Sequence, residues 1–134
     1  MEHQAIIPIH NEVSAVWFEA IEQGKLLLQR DPVTGKAQYF PRPHVLGAPG
    51  RKPEWFEASG RGKIYTYTVV KRSLHPEFVK RTPFTLAIVE LEEGPRMTTW
   101  IVDVPDEELE CDMAVKVVFR EIHPGVTMPC FTRA

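Results

Sequence analysis

Cysteine is nearly absent: the 134 residues hold two, Cys111 and Cys130, and neither has a partner at metal-ligand spacing. A Cys-x-x-Cys zinc knuckle is therefore excluded, and reduced thiols of a cytoplasmic protein are expected, with pairing of the two as the alternative. No apolar run approaches the roughly 18–20 residues of a helical membrane span. The opening MEHQAIIPIHNE has no basic stretch leading into an apolar one, so no secretory leader is expected. A G-x-S-x-G elbow is missing, and neither cysteine lies in a nucleophile context, so no catalytic residue is nominated. Internal repeats and low-complexity runs are missing too. Net charge is only −2, which argues against a general nucleic-acid binder.

What remains is a composition of 43% apolar and 25% charged residues, ordinary for a folded domain. Its organising stretch is Lys25–Trp55. An apolar strand, a tight turn, a second strand and a Pro-bounded segment follow one another there, the outline of a two-knuckle zinc ribbon. Such a ribbon closes four thiolates around one metal. Here Asp31/Thr34 and Val45/Ala48 stand at those positions. Asp31-Pro-Val-Thr-Gly35 supplies turn chemistry: Pro32 presets φ, the Asp31 carboxylate accepts turn amides, and Gly35 takes positive φ. The hairpin is expected to rest on hydrogen bonds and on packing of Leu26, Leu28, Tyr39 and Phe40, with no zinc or other cofactor. His44, the only imidazole near either knuckle, is expected to face solvent or cap the chain.

Before the ribbon, Val13, Val16, Trp17, Ala20 and Ile21 recur at helical spacing over residues 11–22, with Phe18 beside the stripe. Asn11 is the expected N-cap and Gly24 the stop. One apolar stripe does not sustain an isolated helix, so it docks on its own chain or on another. After the ribbon the pattern turns to β. Strands are expected at 54–58, 63–72, 84–92, 96–104, 115–122 and 126–131. A long loop spans 73–83, and one helical turn at 105–109 is capped by Asp106. Ser59-Gly60-Arg61-Gly62 reads as a bend, not a phosphate loop, because strand–turn–helix context is missing. Five or six strands with one long connection and no βαβ rhythm make a mainly β chain ending in a Greek-key barrel of OB type. The expected division is an N-terminal helical segment 1–24, a zinc-ribbon-like (rubredoxin-like) segment 25–53 and an OB-fold domain 54–134.

Taken together, the helical Trp-Phe pair, Gly24–Arg30 (GKLLLQR), Pro41-Arg-Pro43, Ser59 through Val70, LAIVELEEG and the C-terminal VKVVFREI…GVTMPCF resemble the zinc-ribbon/OB-fold acyl-CoA-associated proteins, the domain of unknown function 35 family. The resemblance covers about residues 12–133 and departs from the family at all four ribbon cysteines. It implies a non-catalytic accessory subunit of an acyl-CoA-processing enzyme, such as a thiolase-like acyltransferase, an aldolase or a hydratase. The partner supplies catalysis, and the OB-fold chain stabilises the complex and shapes the substrate passage. A thiolase-like or hydratase-like partner in a hetero-oligomer is implied, with a homodimer as the alternative when the chain is isolated. Trp17, Phe18, Tyr39, Phe40 and Arg42 are the candidate interface residues.

The charge pattern adds a second candidate. Residues 51–81 carry eight Lys/Arg against three Glu, a balance of +5, whereas 82–112 carry one Arg against nine acids, a balance of −8. Such polarity suits an anionic ligand on one surface and a basic partner on the other; two solvated rims are the alternative. Lys71, Arg72, His75, Lys80 and Arg81 form the best cluster for the phosphates of an acyl-CoA, if they are more than a solvated loop. A stand-alone acyl-CoA-binding module is thus the rival function. A single-stranded nucleic-acid module is the third, resting on Tyr65 and Tyr67 as stacked platforms on one strand face, against a charge map that is not uniformly basic.

Overall fold

In the computed structural model, which describes residues 7–134, two β assemblies share one hydrophobic core. Residues 1–6, which carry half of the stretch read for a leader, lie outside the described residues. Helix α1 (Glu12–Glu22) starts at Asn11. The Asn11 side chain accepts from Val13 and Ser14 N–H at 3.0 and 2.8 Å, and Ser14 Oγ accepts in return from the Asn11 N–H at 2.8 Å. This reciprocal cap satisfies amides that have no partner inside the helix. Trp17, Ala20 and Ile21 are buried, and α1 lies against strands β1 (Leu27–Arg30) and β8 (Val126–Arg133). The stripe therefore docks on its own chain, with Val16 left exposed at its edge.

β1 is the middle strand of a three-stranded sheet, between β2 (Ala37–Gln38) and β3 (Glu54–Glu57), both antiparallel to it. Residues 54–58 were expected to open the barrel domain. Instead Leu27–Arg30 pair with Glu54–Glu57, so the ribbon sheet runs to Glu57. A two-residue β2 is too short to shield β1 alone, and β3 completes the ladder on its other side.

The barrel closes in the order β4-β5-β6-β8-β7. Its members are β4 (Arg61–Val70), β5 (Phe84–Leu91), β6 (Arg96–Ile101), β7 (Ala114–His123) and β8. β7 returns to β4 through Arg61↔Lys116, Gly62↔Val115 and Lys63↔Ala114. β6 meets β8 in parallel at Ile101↔Phe131. This is the five-stranded Greek-key closure of an OB-fold. Alternation decides what faces in: along β5, Thr85, Ala87, Val89 and Leu91 are buried, and along β6, Met97, Thr99 and Ile101. Ile64, Val115 and Phe131 complete the centre.

Three smaller expectations are corrected. The turn near 106 is a 3-10 turn, Asp106–Glu108, preceded by Pro105 and without a side-chain cap from Asp106. The loop 73–83 contains a short helix, α2 (Pro76–Val79), because proline suits the first helical position and His75 caps it. Cys130 is buried, but Cys111 is exposed, and both are free thiols.

The bend expected at 59–62 stops at Gly60, because Arg61 and Gly62 already belong to β4, and the two glycines serve closeness. A Cβ on Gly62 would stand 2.5 Å from the Glu90 carbonyl oxygen and 2.8 Å from a Val89 methyl, and Gly60 has φ of +77. Gly62→Ala is accordingly expected to destabilise the chain by about 1–3 kcal/mol, the usual cost of overpacking. Denaturant unfolding checks this, and an unchanged midpoint would refute the close-approach account.

Candidate functional site

Two regions carry candidate site residues: the ribbon, and the loop that holds α2. In the ribbon, the segment after β2 is held by two buried glutamines that face each other across the β1–β2 register, Gln29↔Gln38. Gln29 Nε2 donates to the Arg42 carbonyl and Gln29 Oε1 accepts from the Arg42 N–H, both at 2.9 Å. Gln38 Nε2 donates to Gln29 Oε1 at 2.9 Å and to the His44 carbonyl at 3.1 Å, while Gln38 Oε1 accepts from the Leu46 N–H at 2.9 Å. Side-chain amides thus replace the strand ladder that Pro41 and Pro43 interrupt. Hydrogen bonds were expected here beside packing, and these glutamines make them; Leu26 and Leu28 are buried as anticipated, but Phe40 is 62% exposed and holds nothing inside.

Asp31 is the second ribbon anchor, with a side chain only 4% exposed. Its Oδ1 accepts from the Val33 N–H at 2.9 Å, and its Oδ2 from Thr34 Oγ1 at 3.0 Å and from Arg51 Nη2 at 2.7 Å. Burial pushes this carboxyl up, but the Val33 amide, the Thr34 hydroxyl and the Arg51 guanidinium together outweigh it, and the group titrates below its ordinary 3.8. Could these residues hold the zinc that the ribbon shape implies? The four positions offer one carboxylate, one hydroxyl and two aliphatic side chains, with Val45 buried and bridged to Ala48. The one carboxylate already accepts three hydrogen bonds, and zinc favours thiolate and imidazole donors. His44 turns outward and accepts from the Gly50 N–H at 3.3 Å. The residues do not fit the metal.

Of the interface candidates, Trp17 is buried at 4% exposure, with Phe18 against it at 4.9 Å and Tyr39 at 6.3 Å between ring centres. Tyr39 continues to Phe40 at 4.5 Å, and burial raises its hydroxyl pKa. An aromatic seam therefore runs from the core along α1 to an exposed ring. Val33 and Leu46, 70% and 61% exposed, lie on the same ribbon, and the Arg42 side chain is exposed beside them.

The phosphate candidates are divided by the structure. Lys71, Arg72 and Lys80 are exposed and without an ion-pair partner among the described residues. His75 does not project freely: its Nδ1 accepts from the Glu77 N–H at 3.2 Å, and its ring meets Phe78. Arg81 is committed to Glu77 at 3.4 Å, to the Ile122 carbonyl and to the face of Trp100. Below it, Phe78, Arg81, Leu86, Trp100, Met128 and Cys130 line an apolar cavity of about 330 Å³. That cavity lies against β5 and β6 under the first long barrel loop, the face OB-folds use for ligands. Burial pushes the Cys130 thiol up, so it is a poor nucleophile. Phe78 and Trp100 were missed in the sequence, where β6 and the loop show no periodicity that joins them. The tyrosine platform is not built: a bulge separates Ile64 from Thr66, Tyr65 lies under Arg96, and Tyr67 donates to the Leu109 carbonyl at 3.0 Å. The charge halves are also partly interleaved, since β4 and β5 are neighbours and Lys63 stands opposite Glu90.

A ribbon-like sheet joined to a closed OB barrel, without a catalytic constellation among the described residues, is the class this geometry defines. Comparison with known proteins gives the family. The C-terminal OB-fold domain of ChsH2 matches residues 55–120. A solved chain of the Ltp2-ChsH2(DUF35) aldolase superposes with a TM-score of 0.83 at 32% identity, over 95% of this chain and 98% of that one. A "probable enoyl-CoA hydratase alpha subunit" of Thermomonospora curvata is 33% identical over 95% of this chain, and a DUF35 domain-containing scaffold protein of Methanocaldococcus jannaschii is 44% identical over 63% of it. The chain covers 39% and 60% of the length of those two proteins. A DUF35 protein of Sulfolobus solfataricus shares the fold at a TM-score of 0.61 and 10% identity. The chain belongs to the DUF35 family.

Because the Asp31 pKa is depressed in the folded chain, its ionised form stabilises the ribbon fully above the unfolded carboxylate range, and that contribution is lost as pH falls below about 3.8 and through the folded value. Amide exchange at Val33, corrected for its intrinsic pH dependence, is expected to accelerate over that window in the wild type and not in Asp31→Asn. Equal pH dependence in both would contradict the assignment.

Proposed function

We propose that the chain is a non-catalytic accessory subunit of an acyl-CoA-processing enzyme, stabilising the complex and shaping the substrate passage. The observation that carries this reading is the likeness over nearly the full length of both chains to ChsH2(DUF35), solved with an aldolase. The name of the Thermomonospora relative points to a hydratase subunit, and two archaeal relatives are named scaffold proteins. A thiolase-like or hydratase-like polypeptide in a hetero-oligomer is the partner we assign, in the cytoplasm. No helix among the described residues is long and apolar enough to cross a membrane.

The docking surface we assign is the exposed ribbon, where Phe40 ends the aromatic seam and Val33 and Leu46 are further exposed apolar side chains. An aromatic ring backed by ordered neighbours is the usual anchor of an interface, because little side-chain entropy remains to be lost. Tyr39 supports that anchor from behind, Trp17 supports Tyr39, and Phe18 packs on Trp17. Arg42 lies at the polar rim.

A stand-alone acyl-CoA binder is the second reading, favoured by an apolar cavity lined by Phe78 and Arg81 and by Lys71, Arg72 and Lys80 of the same stretch of chain, which are exposed and have no ion-pair partner among the described residues. Acyl chain and phosphates need those two environments side by side.

Tagged protein is expected to recover a thiolase-like or hydratase-like polypeptide from its native extract, identified by mass spectrometry. Phe40→Asp is expected to reduce that recovery by about tenfold or more. Recovery of no such polypeptide would overturn the accessory-subunit reading. If dodecanoyl-CoA raises the melting temperature of the isolated chain, and Lys71→Ala with Arg72→Ala abolishes the rise, the stand-alone reading takes its place.

A further inference from the structure

The ribbon has the shape of a metal site and not its donors, so something else must join its two knuckles. The first knuckle contributes Asp31 and Thr34. The second is wound from Val45 to Arg51 by three backbone bonds: Val45 N–H to the Arg51 carbonyl at 2.9 Å, Ala48 N–H to the Val45 carbonyl at 3.1 Å, and Arg51 N–H to the Ala48 carbonyl at 3.1 Å. Between them is a hollow of about 210 Å³, lined from both sides by Asp31, Thr34, Gln38, Val45, Gly47 and Arg51.

We infer that the Asp31–Arg51 ion pair stands in the structural place of the ribbon metal, joining the two knuckles and making the ribbon's fold independent of zinc. Arg51 belongs to the second knuckle by its backbone, and its guanidinium crosses to the first, 2.7 Å from Asp31 Oδ2. A cation is thereby supplied by the chain at the junction where a ribbon otherwise recruits one from solution. The anionic side is equally prepared: Thr34 Oγ1 donates to the same carboxylate oxygen, and the Val33 amide holds the other. These hydrogen bonds to an ionised acceptor are roughly twice as strong as neutral ones. Arg51 is 37% exposed while Asp31 is 4% exposed, so the cation keeps part of its hydration and the pair avoids the full desolvation of two buried charges. Arg51 Nε has no acceptor among the described residues, so the contact to Asp31 is single and not a bidentate fork.

An ion pair is weaker than a four-thiolate site, and the rest of the linkage comes from Gln29 and Gln38, which fasten residues 42–46 between the two knuckles. Polar contacts therefore connect the first knuckle, the Pro-bounded segment and the second knuckle. Val45, at one of the four knuckle positions, is buried and lines the hollow.

Amide exchange of the full chain, with and without chelator, tests the inference directly. Chelator is expected to leave exchange at Val33 and Val45 unchanged, and elemental analysis to find no stoichiometric zinc. Asp31→Asn and Arg51→Gln are each expected to accelerate those two amides about tenfold or more while the β5 amides keep their rates, with the double variant no worse than either single one. Arg51→Lys is expected to fall between, and it covers the case in which a neutral variant does not fold. Replacing Asp31, Thr34, Val45 and Ala48 together by cysteine is expected to create a site for one zinc per chain, because Asp31, Thr34 and Val45 line the same hollow and Ala48 is bridged to Val45. One zinc per wild-type chain with chelator-sensitive exchange would overturn the inference, as would unchanged exchange in the single variants, or a four-cysteine chain that folds and takes no zinc.

Discussion

The Gln29 side chain carries the constraint on which the ribbon depends. β1 is the middle strand of the ribbon sheet, and Gln29 lies within it, opposite Gln38 and opposite Trp55. Its buried amide makes three hydrogen bonds, two to the Arg42 backbone and one to Gln38. Left unsatisfied, such a group would cost about 1–3 kcal/mol, so the lattice selects one path for residues 38–46 and penalises others. That path sets Phe40 outward. A buried polar group thus determines where an exposed aromatic ring is presented.

The barrel imposes the complementary constraint. Its closure brings β4 so close to β5 that only glycine fits at residue 62, and the inward positions of β5 alternate strictly. α1 is then bound to both assemblies at once: Trp17 meets Tyr39 of the ribbon, and the helix also packs on β8 of the barrel. The apolar stripe is therefore largely consumed within the chain. What is left for another molecule is the ribbon surface and the loop over the cavity, two regions built on different principles, one aromatic and rigidly backed, the other cationic around an apolar hollow.

Much of the fold was legible because it rests on local chemistry. Asn11, Gly24 and the 3.6-residue stripe locate α1, and the period-two pattern locates the barrel strands to within a few residues. The turn residues Asp31, Pro32 and Gly35 announce the hairpin. What stayed hidden depends on distance along the chain. Gln29 and Gln38 look like surface residues because no local pattern says that a Pro-bounded segment will cover them. Arg51 reads as one more member of a basic stretch, though its partner is twenty residues earlier. β3 was assigned to the barrel because strand pattern does not name the partner strand. Phe78 and Trp100 belong to different elements, and only closure of the barrel under α2 brings them together. His75 and Arg81 were legible as charge, but their commitment to α2, Ile122 and Trp100 was not.

Replacement of the four thiolate positions changes how the segment can be held. A zinc ribbon is held by its metal and tolerates a poor interior, whereas this one needs each polar group satisfied in place. Such a lattice is specific but not strong, since each neutral hydrogen bond contributes about 0.5–1.5 kcal/mol net. Burial of Phe40, Leu46 and Val33 against a partner would remove apolar area from water at about 25 cal/mol per Å² and would shield the Asp31–Arg51 contact from solvent. The Coulomb attraction in that contact rises as the effective dielectric falls, but Arg51 gives up hydration at the same time, so the pair gains only the difference. Docking and ribbon order would then be coupled reciprocally: a partner that binds the outward Phe40 favours the one path that presents it, and a segment already held on that path has less entropy to lose on binding.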